Sequence, residues 1–413
     1  MKAVLCAIAA IGLVGGCIAA VNKKPASSAR AKISKKKPAP PRITPAQREK
    51  AREEIASQLK NDDLTLENPD ALSSFYSSLD TRPIHILQFG DSHTASDDWV
   101  NSMRAPLQAR FGDGGPGFVQ AGRPYRGYRR FDAHGNNSAG WITQGTMASR
   151  GDPDQGLSGV SISTRMPGQT VTLNAAGEFL TVFYLRQPGG GALELTEGDR
   201  SVGTVNTDGE PGPGFATYTL PPGIHDLTLR TLTRDPVRLF GWALDSSNGL
   251  TFETLGINGA QASVILGWSE QLWAASVNAR NPALIILAYG TNEANSPRWT
   301  AEQYRTDLEA VIQRVRRAAP HASFLMIGPP DCGKLHPLRF LSEVVAIQRE
   351  IASEQQIAFW DWRKHMGGSG AIRRWVTAGY AQGDYIHMTG EGYGMVGKMI
   401  VTALLDKSRG EMK

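Results

Sequence analysis

Ile84-His85-Ile86-Leu87-Gln88-Phe89 runs without a break into Gly90-Asp91-Ser92-His93, and this junction decides how the chain reads. A near-continuous apolar run of that length predicts a strand buried on both faces, as in a parallel sheet between helices. Three similar runs recur at wide spacing: Leu284-Ile285-Ile286-Leu287-Ala288-Tyr289, Phe324-Leu325-Met326-Ile327 and Ile357-Ala358-Phe359-Trp360. Helical periods lie between and beyond them. Residues 94–111 read as a helix. Residues 300–319 open on a capping box of Thr300 and Gln303, and put Tyr304, Leu308, Val311 and Val315 on one face. Residues 339–354 and 392–405 follow the same period. The predicted fold class is α/β, a flavodoxin-like doubly wound parallel sheet whose ligand site lies beyond the carboxyl ends of its strands.

Working outward, residues 145–247 carry a different signal. Val160-Ser161-Ile162-Ser163, Phe179-Leu180-Thr181-Val182-Phe183-Tyr184-Leu185, His225-Asp226-Leu227-Thr228-Leu229 and similar short runs are divided by Gly, Pro, Asn and Asp. Closely spaced strands with that punctuation predict an antiparallel β-sandwich or jelly roll, here an inserted second domain. The α/β domain would then comprise residues 44–144 and 248–413. Tyr184, Phe215, Tyr218 and Trp242 are candidates for an exposed aromatic surface, although strand alternation puts several of them in the core.

The N-terminal end reads as an address and a spacer. Met1-Lys2 leads into an uncharged apolar stretch, residues 3–20, which fits a secretory signal better than a membrane span. Small residues before Cys17 resemble a lipoprotein cleavage box, which would make Cys17 a lipidated first residue and anchor the protein to a membrane. Ordinary cleavage near Ala19 or Ala20 is the alternative. Residues 21–43 form a basic, Pro-rich linker. The formal charge of the 413 residues is +5, but residues 21–50 hold ten Lys or Arg against Glu49 alone, so the remainder is mildly acidic. That distribution excludes the cationic groove a nucleic-acid binder needs.

Chemistry is expected at the strand ends. Ser92 stands where a buried strand turns into a helix; by itself it reads equally as a nucleophile or as a helix cap. Three further blocks follow in order: Gly256-Ile257-Asn258-Gly259-Ala260, Gly290-Thr291-Asn292-Glu293 and Asp384-Tyr385-Ile386-His387. With these the chain resembles the SGNH, or GDSL-like, hydrolase superfamily. The resemblance implies Ser92 as nucleophile, Gly259 and Asn292 as oxyanion-hole donors beside the Ser92 N–H, and Asp384 and His387 as the rest of a triad. The family commonly has Asp after Asn in the third block; here Glu293 stands there, and its role is open. Chemically the set is coherent. An imidazole can take the serine proton and return it to a leaving alcohol, and a carboxylate three residues earlier can hold the imidazole tautomer. His93, His134 and His336 read as structural residues or substrate contacts. No His or Cys pair has ligand spacing, so neither metal nor cofactor is expected.

Gly90-Asp91-Ser92-His93-Thr94-Ala95-Ser96-Asp97, Gly112-Asp113-Gly114-Gly115-Pro116-Gly117-Phe118 and Leu239-Phe240-Gly241-Trp242-Ala243-Leu244 are similar to bacterial peptidoglycan O-acetylesterases, which also carry a carbohydrate-binding-module-like β insert. This resemblance implies a periplasmic or envelope esterase. Its partner would be an acetylated polysaccharide, peptidoglycan first, deacetylated at the 6-hydroxyl of muramoyl residues. Two other readings stay open: an envelope O-acetyltransferase using the same acetyl-serine, and a non-catalytic glycan-binding lipoprotein.

Overall fold

The computed structural model describes residues 43–81, 83–145, 151–334 and 336–411. The signal stretch, most of the linker and Cys17 lie outside them. In chain order the strands are β1 (Ile84–Gly90), β2 (Gly117–Val119), β3 (Ile142–Gly145), β4 (Val160–Thr164), β5 (Thr170–Arg186), β6 (Ala192–Glu197) and β7 (Arg200–Asn206). They continue with β8 (Gly212–Thr231), β9 (Val237–Asp245), β10 (Leu250–Gly256), β11 (Leu284–Ala288), β12 (Ser323–Ile327) and β13 (Ala358–Trp360).

Five of these form a parallel sheet in the order β10-β1-β11-β12-β13, the doubly wound arrangement expected from the apolar runs. Because side chains alternate along a strand, each run serves two cores. Ile84, Ile86, Leu284, Ile286, Leu325 and Trp360 join one cluster with the helices Asp98–Phe111 and Gly390–Glu411. Leu87, Phe89, Ile285, Leu287, Met326 and Phe359 join the other with the helices Glu270–Arg280, Ala301–Ala318 and Leu341–Glu354. Residues 94–111 are not one helix. A short helix, Ser92–Ala95, ends before Asp97, whose φ is +59°, and the helix Asp98–Phe111 starts anew. Buried Arg104 holds the Asp97 carboxylate at 2.6 Å, which fixes this break.

Strand β10 was not foreseen, because Leu250-Thr251-Phe252-Glu253-Thr254 is half polar. Its polar side chains are buried in pairs: Glu253 accepts from Arg280 Nε at 2.8 Å, and Thr251 meets His85 Nδ1 at 2.8 Å. The remaining strands make an antiparallel sheet ordered β3-β4-β9-β5-β8-β6-β7, with β2 against β9, around its own cluster that includes Ile162, Leu173, Val182, Leu195, Leu229 and Leu239. Its first strand, β2, precedes residue 145. Trp242 and Tyr184 lie in that cluster rather than on a surface, while Phe215 is exposed and Tyr218 half-buried.

The two sheets are also welded together. Phe118, Leu157, Phe183, Phe240 and Ala243 of the antiparallel part belong to the same cluster as Leu87, Phe89 and Trp273 of the α/β part. The chain leaves the α/β layer at Gly112 and returns at Gly249, two points that touch: a Cβ on Gly112 would sit 3.2 Å from Gly249 Cα.

Candidate active site

The serine turn is built by close packing. A Cβ at Gly90 would fall 2.1 Å from Thr94 Oγ1 and 2.8 Å from Ala288 O, so only glycine lets β1 bend directly into the next turn. Asp91 caps that turn, its Oδ1 accepting from His93 N at 2.9 Å. Ser92 is thereby left half-buried at the carboxyl end of β1.

Ser92 Oγ lies 2.9 Å from His387 Nε2, and His387 Nδ1 lies 2.8 Å from Asp384 Oδ2. Three residues from two distant blocks of the sequence thus form one hydrogen-bonded chain. The Asp384 loop is self-braced: its Oδ1 accepts from Ile386 N at 2.9 Å and His387 N at 3.1 Å, and Tyr385 takes φ +62° to allow it. Partial burial opposes ionisation of Asp384, but the His387 hydrogen bond and these two backbone N–H groups outweigh it and hold the carboxyl below its usual range. The loop lies beside Gly333, whose N–H donates to Tyr385 O at 2.9 Å.

Gly256 and Gly259, three residues apart, are separated by the structure. Gly256 ends β10 opposite Gly90, with its Cα packed on the backbone of Ala95. Gly259 is exposed in the turn after the strand, at φ +76°. Asn292 follows β11 and reaches that turn: its Nδ2 donates to Ala260 O at 2.9 Å, leaving its second amide hydrogen for a ligand. Two more bonds lace the same loops. Gln261 Nε2 donates to Asn292 O at 3.3 Å, and Ala262 N donates to Glu293 Oε1 at 2.8 Å. Glu293, whose role was open, is therefore a brace between the Gly259 turn and Asn292. Burial pushes its carboxyl up to about 7.

His93 is a buried neighbour of His387. Its ring centroid is 5.2 Å from that of His387, and Nδ1 meets Tyr393 OH at 2.9 Å. Burial, and next the charge of His387, push its pKa down to about 3, so it stays neutral. Neither Tyr393 nor Asp91 was singled out from the sequence; the position of Asp91 directly before Ser92 was the available signal. His134 and His336 are exposed, and His134 bridges to Asn174 in the antiparallel part. Among the described residues, Asp62, Asp63 and His365 are grouped within metal-ligand reach, but His365 Nδ1 already bonds Asp62 Oδ1 at 2.7 Å.

A family model described as GDSL-like Lipase/Acylhydrolase matches residues 226–395, a span that holds Gly259, Asn292, Asp384 and His387 and begins after Ser92. Among solved structures, a peptidoglycan O-acetylesterase is similar over 82% of this chain and 97% of its own, with 27% identity and a TM-score of 0.72. A family two carbohydrate esterase from Clostridium thermocellum, solved with cellohexaose, covers 65% of this chain and 99% of its own, at 12% identity and TM-score 0.32. A lipase/acylhydrolase from Enterococcus faecalis covers 39% and 78%, at 20% identity and TM-score 0.31. No curated protein matches the chain.

Proposed function

This chain carries a GDSL-like lipase/acylhydrolase domain and is an esterase, and from that premise we propose that it removes O-acetyl groups from peptidoglycan, at the 6-hydroxyl of muramoyl residues. The observation that carries this reading is the Ser92–His387–Asp384 chain of hydrogen bonds at 2.9 and 2.8 Å. The likeness to a peptidoglycan O-acetylesterase over 82% of the chain supports the choice of polymer.

Ser92 Oγ attacks the acetyl carbonyl while His387 Nε2 takes its proton, and Asp384 holds the imidazole by Nδ1 and stabilises the imidazolium. The oxygen that becomes negative accepts from Ser92 N, Gly259 N and the free Asn292 amide hydrogen. Collapse breaks the bond from the acetyl carbon to the sugar oxygen, which leaves with the proton from His387. Water, deprotonated by His387, then attacks the acetyl-serine; the bond from the acetyl carbon to Ser92 Oγ breaks, Oγ takes the proton back from His387, and acetate leaves.

The enzyme would act outside the cytoplasm, where its polymer lies; the apolar residues 3–20 support export, and a lipid on Cys17 would tether it. Among the described residues no helix is long and apolar enough to cross a membrane. The test is acetate release from O-acetylated peptidoglycan and from acetylated xylan by wild type and Ser92→Ala. Wild type is expected to favour peptidoglycan, and the folded variant to turn over several orders of magnitude more slowly. A variant within about tenfold of wild type on a small activated acetate ends the role of Ser92, since loss of a covalent nucleophile takes away far more. A preference for xylan ends the choice of polymer.

A further inference from the structure

One loop next to the triad has a feature that ester hydrolysis does not use. Residues 122–131 contain Arg123, Arg126, Arg129 and Arg130. Arg130 is buried and nails the loop down, donating to Phe118 O and Pro116 O at 2.8 Å and pairing with Asp132 at 2.7 Å. Tyr128 packs edge-on against Tyr125 at 5.6 Å, and its hydroxyl accepts from Gln120 N at 3.1 Å. The loop touches both flanks of the catalytic turn. Arg129 Nε donates to Ser96 O at 2.7 Å, four residues past Ser92. On the other flank a Cβ at Gly127 would lie 3.7 Å from Asn258 Nδ2, the residue before Gly259.

On this anchored loop Arg123 and Arg126 are exposed, and among the described residues neither forms an ion pair with a carboxylate. Arg123 Nη2 donates to Arg126 O at 3.1 Å, which keeps both cations on one short stretch. Tyr125, between the two arginines in the chain, lines a cavity of about 230 Å³ together with Thr143, Gln144, Val160, Ile257 and Asn258. A charge run is usually just a solvated face. Here the backbone that presents it is fixed, so little ordering entropy is lost when an anion binds.

We propose that Arg123 and Arg126, with this cavity, form a subsite for a carboxylate-bearing, partly aliphatic substituent on the sugar next to the acetyl group. This rests on the peptidoglycan reading: a muramoyl residue carries a lactyl ether whose peptide stem is aliphatic and ends in carboxylates, and the xylose chain of acetylated xylan carries neither. The aliphatic part would fill the cavity, and guanidinium groups would take the carboxylate through charge-assisted hydrogen bonds.

The experiment compares wild type with the Arg123→Gln/Arg126→Gln double variant on three substrates: O-acetylated peptidoglycan, acetylated xylan and a small activated acetate. The expected result is a fall of about tenfold or more in kcat/KM on peptidoglycan, carried by KM, with the other two within about twofold of wild type. The wild-type rate on peptidoglycan should also fall with added salt more steeply than that of the variant. A double variant that matches wild type on peptidoglycan overturns the subsite, and so does a parallel loss on all three substrates. Wild type that deacetylates xylan but not peptidoglycan instead overturns the functional reading, and the subsite with it.

Discussion

Asp91 shows what a single residue at the Ser92 turn does to stability. Burial, the larger cause, and the nearby Glu293 carboxylate push its pKa up to about 7, against the His93 N–H and the Thr291 hydroxyl, which pull it down. In the unfolded chain an Asp titrates near 3.9. The folded state therefore holds this proton more tightly, so the stabilisation is complete below about pH 4 and is lost as pH rises through about 7, by about 4 kcal/mol in all. Glu293, raised to about 7 by its own burial, acts in the same direction. Wild type should thus unfold at lower denaturant at pH 8 than at pH 5, and Asp91→Asn, which keeps an acceptor for His93 N, should flatten that difference. Equal slopes in the two proteins would mean that Asp91 is ionised in the fold. None of this was legible in the sequence, where Asp91 is one polar letter beside Ser92. That Ser92, Asp384 and His387 come together was expected from the order of their blocks, and the hydrogen bonds join them. Glu293 was not legible, since its function is to receive Ala262 N, a contact formed only when two loops meet.

At the level of elements, the apolar strands were readable and β10 was not, for one physical reason. Burial was inferred from apolar letters, whereas Glu253 and Thr251 are buried because Arg280 at a helix end and His85 on the neighbouring strand await them. The same blindness merged the helices on either side of Asp97, whose left-handed backbone is held by buried Arg104, two turns further along. The end of β10 also carries a test. A Cβ on Gly256 would lie 2.2 Å from Ala95 N and 2.7 Å from Ala95 Cα, which are backbone atoms that no rotamer change can clear. Gly256→Ala must push the Ser92–Ala95 turn away from the strand. The expected outcome is a loss of about 1–3 kcal/mol in chemical denaturation, with a fall in kcat on a small acetate because Ser92 moves relative to His387. Unchanged stability together with wild-type kcat would show that the turn can slide freely over β10.

The molecule as a whole does not divide as the strand pattern suggested. Residues 145–247 read as a separable insert, yet Leu157, Phe183 and Phe240 are buried in the core of the α/β part. Each such side chain contributes about 1.5–3 kcal/mol, against a net stability of about 5–15 kcal/mol for a typical domain. Replacing residues 150–245 by a short Gly-Ser bridge is therefore expected to give insoluble or unfolded protein. Soluble product with wild-type turnover of a small acetate would show that the shared core is dispensable. The touching crossings at Gly112 and Gly249 bear on how the chain finds its fold. Strands β1 and β10 pair although partners such as His85 and Thr251 stand 166 positions apart, a contact whose loop closure is slow for a free chain. Several antiparallel strands join partners much nearer in sequence, such as Leu193 with Val205, although β2 meets β9 through partners as remote as Gly117 and Leu244. Once they have formed, the two crossings are already together, and the remote pairing at the heart of the parallel sheet becomes a short-range step. In kinetic terms the insert is a clamp that lowers the effective contact order of the domain it interrupts.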